Sequence, residues 1–512
     1  MKNLFEIAGS ASCRPGFAEF RETKRSCSLG LEYLLKNGTP KSVSANGAPV
    51  FPEAQELKVD VIDYAGNEDD IVPAKEQEKW FEKHLNHVLP RCSDLDSIVV
   101  LFHCSNFPIA STVACMLNGS AGVNEFSARY AELPKANVAK GTLKDMFSDY
   151  KAFDSLANTV DEYYDARFRD YRELIDLGVS RELSRGVLPT SQYTQFFTKL
   201  SLFNLIKFIQ FYDDEENLLM KPVIDQMKIV FQLGFPKIYK LFKNGKLTSS
   251  EEAWDKFINA GASSKKNLTF RQNSENLESK FGQKHIVAKE DGTPMDGDKC
   301  WIKVTNYSGT MKTPYDAVGM SFGVEQNPSS MQTIESFVQL LINLGHCSPF
   351  ELTTLLFESR VPFFVFRHVI RHRTMGIHRW RLINDVYVPE ARAEKNKTLM
   401  PVAQSKLANS VNVAFKESQS QLAKLDMTKR ADDLNLLLCP ASQYVEFNGR
   451  IDIHNLVHIL NLRTNPAAQY ESRMFAYALQ EIFEQWVPVI YNAFIENKRL
   501  DPIPPRTAKR AA

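Results

Sequence analysis

Residues 187–197 read VLPTSQYTQFF, and residues 437–447 read LLCPASQYVEF. Aligned on the proline, the two share Pro-x-Ser-Gln-Tyr at a separation of 251 residues. A repeat of this kind decides the architecture before any helix or strand is assigned. The segments that follow keep the separation: LFNLIKFIQF (202–211) and IHNLVHILNL (453–462) both carry Asn-Leu and an apolar stripe at helical spacing. Further upstream, NFPIASTVACMLNG (106–119) lies over RVPFFVFRHVIRHR (360–373), proline on proline, at a separation of 254, so a gap of three residues falls between the two matches.

Two halves of one fold follow from this. Each offers an opening strand (LKVDVIDYAG; CWIKVTNYSG), a middle strand (DSIVVLFHC; LTTLLFES) and then several amphipathic helices. This predicts an α+β class: two tandem domains, each a β-sheet packed with several α-helices. The boundaries read as an N-terminal extension over 1–50, a first domain over 51–245, a polar connection rich in Ser, Asn and Lys over 246–298, a second domain over 299–500 and a tail over 501–512.

A chain of 512 residues with 44% hydrophobic and 24% charged content has the composition of a globular protein with ample core. Its formal net charge of +1 carries no nucleic-acid signature, so any affinity for anions must be local. The N-terminal sequence lacks a signal peptide's apolar core, and no run approaches the ~18 apolar residues of a membrane span, so a soluble, cytoplasmic protein with no membrane partner is expected. Eight cysteines form no CxxC pair and read as reduced thiols. Cys439, behind the apolar LLL, reads as a core residue rather than a nucleophile.

The local charge is in RHVIRHRTMGIHRWR (367–381), with five arginines and three histidines. In PFFVFRHVIRHR the apolar positions Phe363, Phe366, Val369 and Ile370 lie on one helical stripe. The other faces then carry Arg367 with Arg371 and His368 with His372. Like charges four apart repel, and acidic partners are missing nearby, so an anion should compensate; a solvated basic face is the plainer alternative. His368/His372 and His454/His458 have metal-sharing spacing. Neither pair has the HExxH glutamate or a completing cluster, so no metal site is expected.

In the first half the place of Arg371-His372-Arg373 is taken by Leu117-Asn118-Gly119, which cannot hold an anion. Shortly afterwards GVNEFSARY (122–130) sets Glu125, Ser127 and Arg129 at alternate positions, on one side if the backbone is extended. Such a set suits a phosphate and a ribose or base, and Asn-Glu-x-Ser equally suits a helix cap. Each half holds what the other lacks.

Arg-His-Arg followed by Asn-Glu-x-Ser-x-Arg-Tyr resembles the signature of the flavin-dependent thymidylate synthase (ThyX) family, divided here between two diverged copies. The second half keeps Arg371-His372-Arg373, with His378-Arg379 where Asn-Glu belongs and Arg381 where Ser belongs. The first half keeps Asn124 through Tyr130. The likeness runs through roughly 50–240 and 299–500. Family members are homotetramers whose sites join residues of different subunits. The resemblance therefore implies composite sites, with two fused chains forming a homodimeric pseudo-tetramer that has half the usual number of complete sites.

The resemblance also implies residue roles. For dUMP it implies Glu125, Ser127, Arg129, Arg185, His368, Arg371 and Arg463, the last of these as the catalytic cation polarising the uracil ring. For FAD it implies Ser321, Ser348, Glu351, Arg371, His372, Arg373, His454 and His458. The partners of these residues are lost in the opposite half, where Leu436 matches Arg185 and Tyr212 matches Arg463. Departures from the pattern fall at Asp452, His454, His458, His368 and Ala467, where the family has other residues. The implied reaction is reductive methylation of dUMP, with methylenetetrahydrofolate and NADPH as cosubstrates. Related modification of carbon five, such as hydroxymethylation, and non-catalytic nucleotide binding are the alternatives.

Overall fold

The structure, a computed structural model, describes residues 58–65, 99–117, 123–125, 133, 153–213, 219–236, 238–239, 283–321, 331–372, 374–394, 397–423 and 431–505. Two antiparallel sheets carry the two copies. The first contains β1 (Lys58–Ala65), β2 (Val99–Pro108), β3 (Val123–Glu125) and β4 (Tyr193–Ser201) in the order β1-β2-β4-β3. The second contains β5 (His285–Ile286), β6 (Trp301–Ser308), β7 (Thr354–Pro362), β8 (Gly376–Val386) and β9 (Gln443–Asp452) in the order β5-β6-β7-β9-β8. Apart from β5 the orders correspond strand for strand, and even an irregularity recurs: pairing shifts between Val61 and Asp63 in one copy and between Val304 and Asn306 in the other. Along β7 buried and half-buried residues alternate, as a strand with one face on a core requires.

β5 falls in the stretch read from sequence as the polar connection. It pairs with β6, and Val287 and Met295 just after it are buried in the second copy's core. The Ser- and Lys-rich composition dominates that stretch and hides two short apolar anchors.

Seven helices matter for the site: α1 (Ile109–Leu117), α2 (Phe153–Asp176), α3 (Leu202–Tyr212), α4 (Phe363–Ile370), α5 (Ala403–Ala423), α6 (Ile453–Arg463) and α7 (Tyr470–Trp486). The repeated Asn-Leu has a local cause. The Asn204 backbone N–H donates to Ser201 Oγ at 3.2 Å, and that of Asn455 donates to Asp452 Oδ1 at 2.9 Å, so each copy starts its helix with a side-chain cap in the same place.

The duplicated Pro-x-Ser-Gln-Tyr segments meet each other. Pro189 bridges Pro440, Thr190 N donates to Cys439 O (3.1 Å) and Ala441 N to Leu188 O (3.1 Å); Ser191 N donates to Leu437 O (2.8 Å) and Ser442 N to Gly186 O (3.1 Å). Shifting the first bond of each pair by 251 residues gives the second, so a pseudo-two-fold axis runs between the prolines. The helices obey it as well. Buried Val160, Tyr163 and Arg167 of α2 lie 251 residues before buried Val411, Ala414 and Ser418 of α5, and the Tyr163 hydroxyl lies 3.1 Å from the Ala414 carbonyl oxygen.

The cores interlock across this axis. Val113 and Met116 of α1 are buried in the second copy's core, and Val179, Leu183 and Leu188 share a cluster with Leu407, Val411 and Leu437. Each such side chain contributes roughly 1.5–3 kcal/mol when fully buried. A second join is made by the segment after β8. Arg392 O accepts from Ser180 N (2.8 Å), Glu394 N donates to Gly178 O (2.8 Å), and the Glu394 carboxylate pairs with Arg181 (3.2 Å). Gly178 has φ +86°, and a Cβ there would sit 2.4 Å from the Thr398 carbonyl oxygen, so the close approach requires glycine. Among the described residues no helix is long and apolar enough to cross a membrane.

Candidate active site

α4 is apolar on every side except at Arg367 and His368, and Phe363, Phe364, Val365, Phe366, Val369 and Ile370 are all buried. A helix of this composition belongs inside, and its few polar positions mark where it reaches an opening. The helix ends at Ile370. Arg371 is its C-cap, and the chain then turns, with His372 N donating to Val369 O at 3.0 Å. Arg371 keeps right-handed helical dihedrals (φ −67°, ψ −19°) and so stays on the Arg367 side of the helix, while His372 follows on an i→i−3 turn past the last α-helical residue.

The carbonyls freed at that helix end find a cation. Arg463, the last residue of α6, donates from Nη2 to His368 O (3.1 Å) and from Nε to His372 Nε2 (2.9 Å). Burial, followed by the charges of Arg463, His458 and Arg371, lowers the His372 pKa from 6.5 to about 3. His372 is therefore neutral at ordinary pH and can accept the arginine's hydrogen bond.

Next to this turn a cleft opens where the two copies meet. One wall comes from the first copy, with Ile109, Arg185, Pro189, Gln192 and Tyr193; the other comes from the second, with Phe364, Arg367, His368, Arg371 and Ala441. Three guanidinium groups and an imidazole line it, and no carboxylate does so among the described residues. The first turn of α7 supports both walls from behind. Arg185 Nη2 donates to Gln469 Oε1 (2.9 Å), and His368 Nδ1 lies 2.7 Å from Ser472 Oγ. The arrangement suits a dianionic group with an attached planar ring: forked donors on two sides, and aromatic and apolar side chains between them.

Of the residues singled out from sequence, Arg185, His368 and Arg371 converge on the cleft. Arg463 sits behind it, against His368 and His372. Glu125 ends the edge strand β3, paired opposite Phe196. Ser127, Arg129 and Arg373 lie outside the described residues, as does the side chain of Ser321 at the end of its helix. Ser348 and Glu351 are exposed on the 3-10 turn Ser348–Leu352, which leads to the start of α6 through Ile453 N to Thr353 O (3.1 Å). α6 carries half-buried His454 and exposed His458, whose ring lies 6.3 Å from that of His372. Asp452 is the α6 cap.

One sequence reading needs correction here. Spacing put His378-Arg379 in the place of Asn124-Glu125. In the sheets, however, Arg379 and Trp380 face Asn448 and Phe447, as Asn124 and Glu125 face Phe197 and Phe196, because β8 skips a residue between Ile377 and Arg379. Trp380 thereby packs on Phe366 with ring centroids 5.6 Å apart. Arg367, Gln469 and Ser472 were not assigned to the site from sequence. Arg367 was visible as a charge within a buried helix. Gln469 and Ser472 are uncharged and fall in none of the motifs that the sequence displays. Cys439 is fully buried, and burial pushes its thiol up to about 12, in keeping with a core residue.

The sequence profile of the thymidylate synthase complementing protein family matches residues 51–218 and again residues 303–489. The chain belongs to that family. Family members to which it is similar include flavin-dependent thymidylate synthases of Wolbachia pipientis wMel and of Thermus thermophilus. The first is 29% identical over 219 residues, covering 39% of this chain and 75% of the relative; the second is 28% identical over 224 residues, covering 42% and 82%. A UMP/dUMP methylase, PolB from Streptomyces cacaoi, solved with 5-Br dUMP, is similar at 22% identity with a TM-score of 0.35, covering 39% of this chain and 96% of that one. A member of ordinary length thus matches well under half of this chain, while the family profile fits it twice. The chain therefore carries two copies of the family's domain in tandem, and it is an enzyme of the methyl-transferring, flavin-dependent type.

Proposed function

We propose that this chain is a flavin-dependent thymidylate synthase that reductively methylates dUMP to dTMP at a site built from both copies, with methylenetetrahydrofolate and NADPH as cosubstrates. The observation that carries the reading is the cleft at the join, where Arg185 of one copy faces Arg367, His368 and Arg371 of the other without a described carboxylate between them. Arg185 and Arg371 hold the phosphate by charge-assisted hydrogen bonds, with Ser127 and Arg129 completing the grip and Glu125 accepting from the sugar or base. Anchoring the non-reacting phosphate fixes the position of the ring. His368, steadied by Ser472, borders the base. Arg463 is the cation that stabilises negative charge on the uracil amide edge as carbon five attacks an electrophilic methylene; its bonds to His372 and to the end of α4 hold it in place.

The side chains that the family resemblance assigns to FAD have chemistry that suits it: Ser348, Glu351 and Ser321 can engage ribityl or ribose hydroxyls, while Arg371, Arg373, His372, His454 and His458 can donate to a diphosphate or bind the ring edge. Reduced flavin, when bound, supplies the hydride that completes the methyl group. Two chains pairing into a pseudo-tetramer fit Phe211 and Leu462, which are 71% and 50% exposed at the same place in α3 and α6. The test is incubation of purified protein with dUMP, methylenetetrahydrofolate, FAD and NADPH, with the product mass recorded. dTMP supports the reading. A hydroxymethylated product transfers it to a related carbon-five reaction, and a protein that is colourless after FAD addition and yields no product contradicts it.

A further inference from the structure

We propose that Glu471 and Gln469, in the first turn of α7 and at its cap, are positioning residues: the buried carboxylate fixes which way the Gln469 amide points, and the amide in turn holds Arg185 against the cleft. The inference rests on the reading of Arg185 as the phosphate anchor and adds to it the device that keeps the anchor in place.

The amide is used at both ends. Its Oε1 accepts from Arg185 Nη2 at 2.9 Å, and its Nε2 donates to Glu471 Oε2 at 3.2 Å. Gln469 is 1% exposed and Glu471 is 0% exposed, so water does not replace either partner. Turning the amide over would set its NH2 against the guanidinium and its oxygen against the carboxylate, making two repulsive contacts from two attractive ones. Glu471 therefore selects the orientation that offers an acceptor to Arg185.

The carboxylate is itself held. Glu471 Oε1 accepts from Arg392 Nη2 at 2.6 Å and lies 3.4 Å from the Tyr387 hydroxyl. Arg392 lies 3.7 Å from Glu182 of the first copy and stacks on Tyr470 at 4.6 Å. Burial opposes the charge on Arg392, and Glu471 outweighs it, leaving the arginine's pKa above its usual value. The relay Arg392–Glu471–Gln469–Arg185 thus starts on the segment that joins the two copies, passes through a helix of the second and ends on a cleft residue of the first. Ser472, one residue on, braces His368 on the opposite wall.

A structural glue would lower stability and affect all ligands alike, whereas a positioning residue for a phosphate anchor acts on the phosphate. The experiment is calorimetric binding of dUMP and of deoxyuridine to the full chain carrying Gln469→Leu, Arg185→Ala or both, with thermal unfolding in parallel. Gln469→Leu should weaken dUMP binding about tenfold, the scale of one hydrogen bond to a charged group, and leave deoxyuridine binding unchanged. The double variant should bind dUMP no more weakly than Arg185→Ala alone. If Gln469→Leu does not fold, Gln469→Asn, which keeps the amide and shortens its reach, must show the same selective loss. Equal losses for both ligands, no loss for either, or additive losses in the double variant overturn the proposal. If Arg185→Ala leaves dUMP affinity intact, the anchor reading falls and takes the relay with it. If Arg185→Ala weakens dUMP binding and neither Gln469 variant does, the relay alone falls.

Discussion

His372 should make this protein sensitive to acid in a window that can be calculated. In the unfolded chain its imidazole titrates near 6.5, and in the folded chain near 3, with burial as the first cause and the charges of Arg463, His458 and Arg371 next. Between those values the unfolded state binds more protons than the folded one, so stability rises with pH across the window. The contribution is fully present above pH 6.5 and is lost progressively as pH falls toward 3. Each pH unit is worth about 1.4 kcal/mol, so this one residue should cost roughly 2–3 kcal/mol by about pH 4.5, with a ceiling of roughly 5 kcal/mol at the bottom of the window. The control is His372→Gln, whose amide oxygen can still accept from Arg463 Nε and which does not titrate. Urea unfolding of both proteins at a series of pH values from 8 to 4.5 gives a difference curve from which the shared carboxylates cancel. The wild-type advantage should shrink by about 2–3 kcal/mol over that range. A difference curve that stays flat refutes the buried, neutral imidazole and with it the account of what Arg463 leans on.

Three further outcomes follow from the geometry. Arg463→Ala should lower kcat about 100-fold or more while leaving dUMP affinity nearly unchanged, since a charge needed only in the transition state does not appear in ground-state binding; steady-state kinetics with a binding isotherm would show a purely structural arginine as parallel losses. Gly178→Ala should destabilise by roughly 2–4 kcal/mol, because a positive φ and a backbone oxygen at 2.4 Å cannot both be relieved by a side-chain rotation; chemical denaturation measures this, and a change below about 0.5 kcal/mol argues against the close join. Gly449→Ala places a Cβ 2.5 Å from the buried Phe357 ring, so a loss of about 1–3 kcal/mol is expected from overpacking, read as a lower thermal midpoint with cleft binding intact.

The doubling of the fold was legible because it is written as periodicity. The 251-residue separation recurs in Pro-x-Ser-Gln-Tyr, in Asn-Leu and in the caps Ser201 and Asp452. What a separation cannot say is that equivalent residues touch. The meeting of Pro189 with Pro440 depends on the axis that relates the copies, and nothing along one chain encodes an axis. In the site, Arg185 and Arg371 stood out as cations matching a known motif, and His368 as a departure from it. The end of α4 at Ile370 did not, because the polar residues beyond it keep helical spacing for a further turn. Gln469 and Glu471 were hidden for another reason. Near a helix start they resemble solvent-facing first-turn residues, and only the tertiary packing buries them.

Tyr163 stands across from Ala414, and Arg167 lies 251 residues before Ser418, so at two buried positions a bulky residue in one repeat answers a small one in the other. When two identical chains associate, a side chain near their symmetry axis meets its own image, and tyrosine would have to make room for tyrosine. Fusion lifts that restriction and turns the junction into a lock and a key. Separated at the connection and produced as independent polypeptides, the earlier and later repeats should reassemble with each other and refuse to pair with themselves.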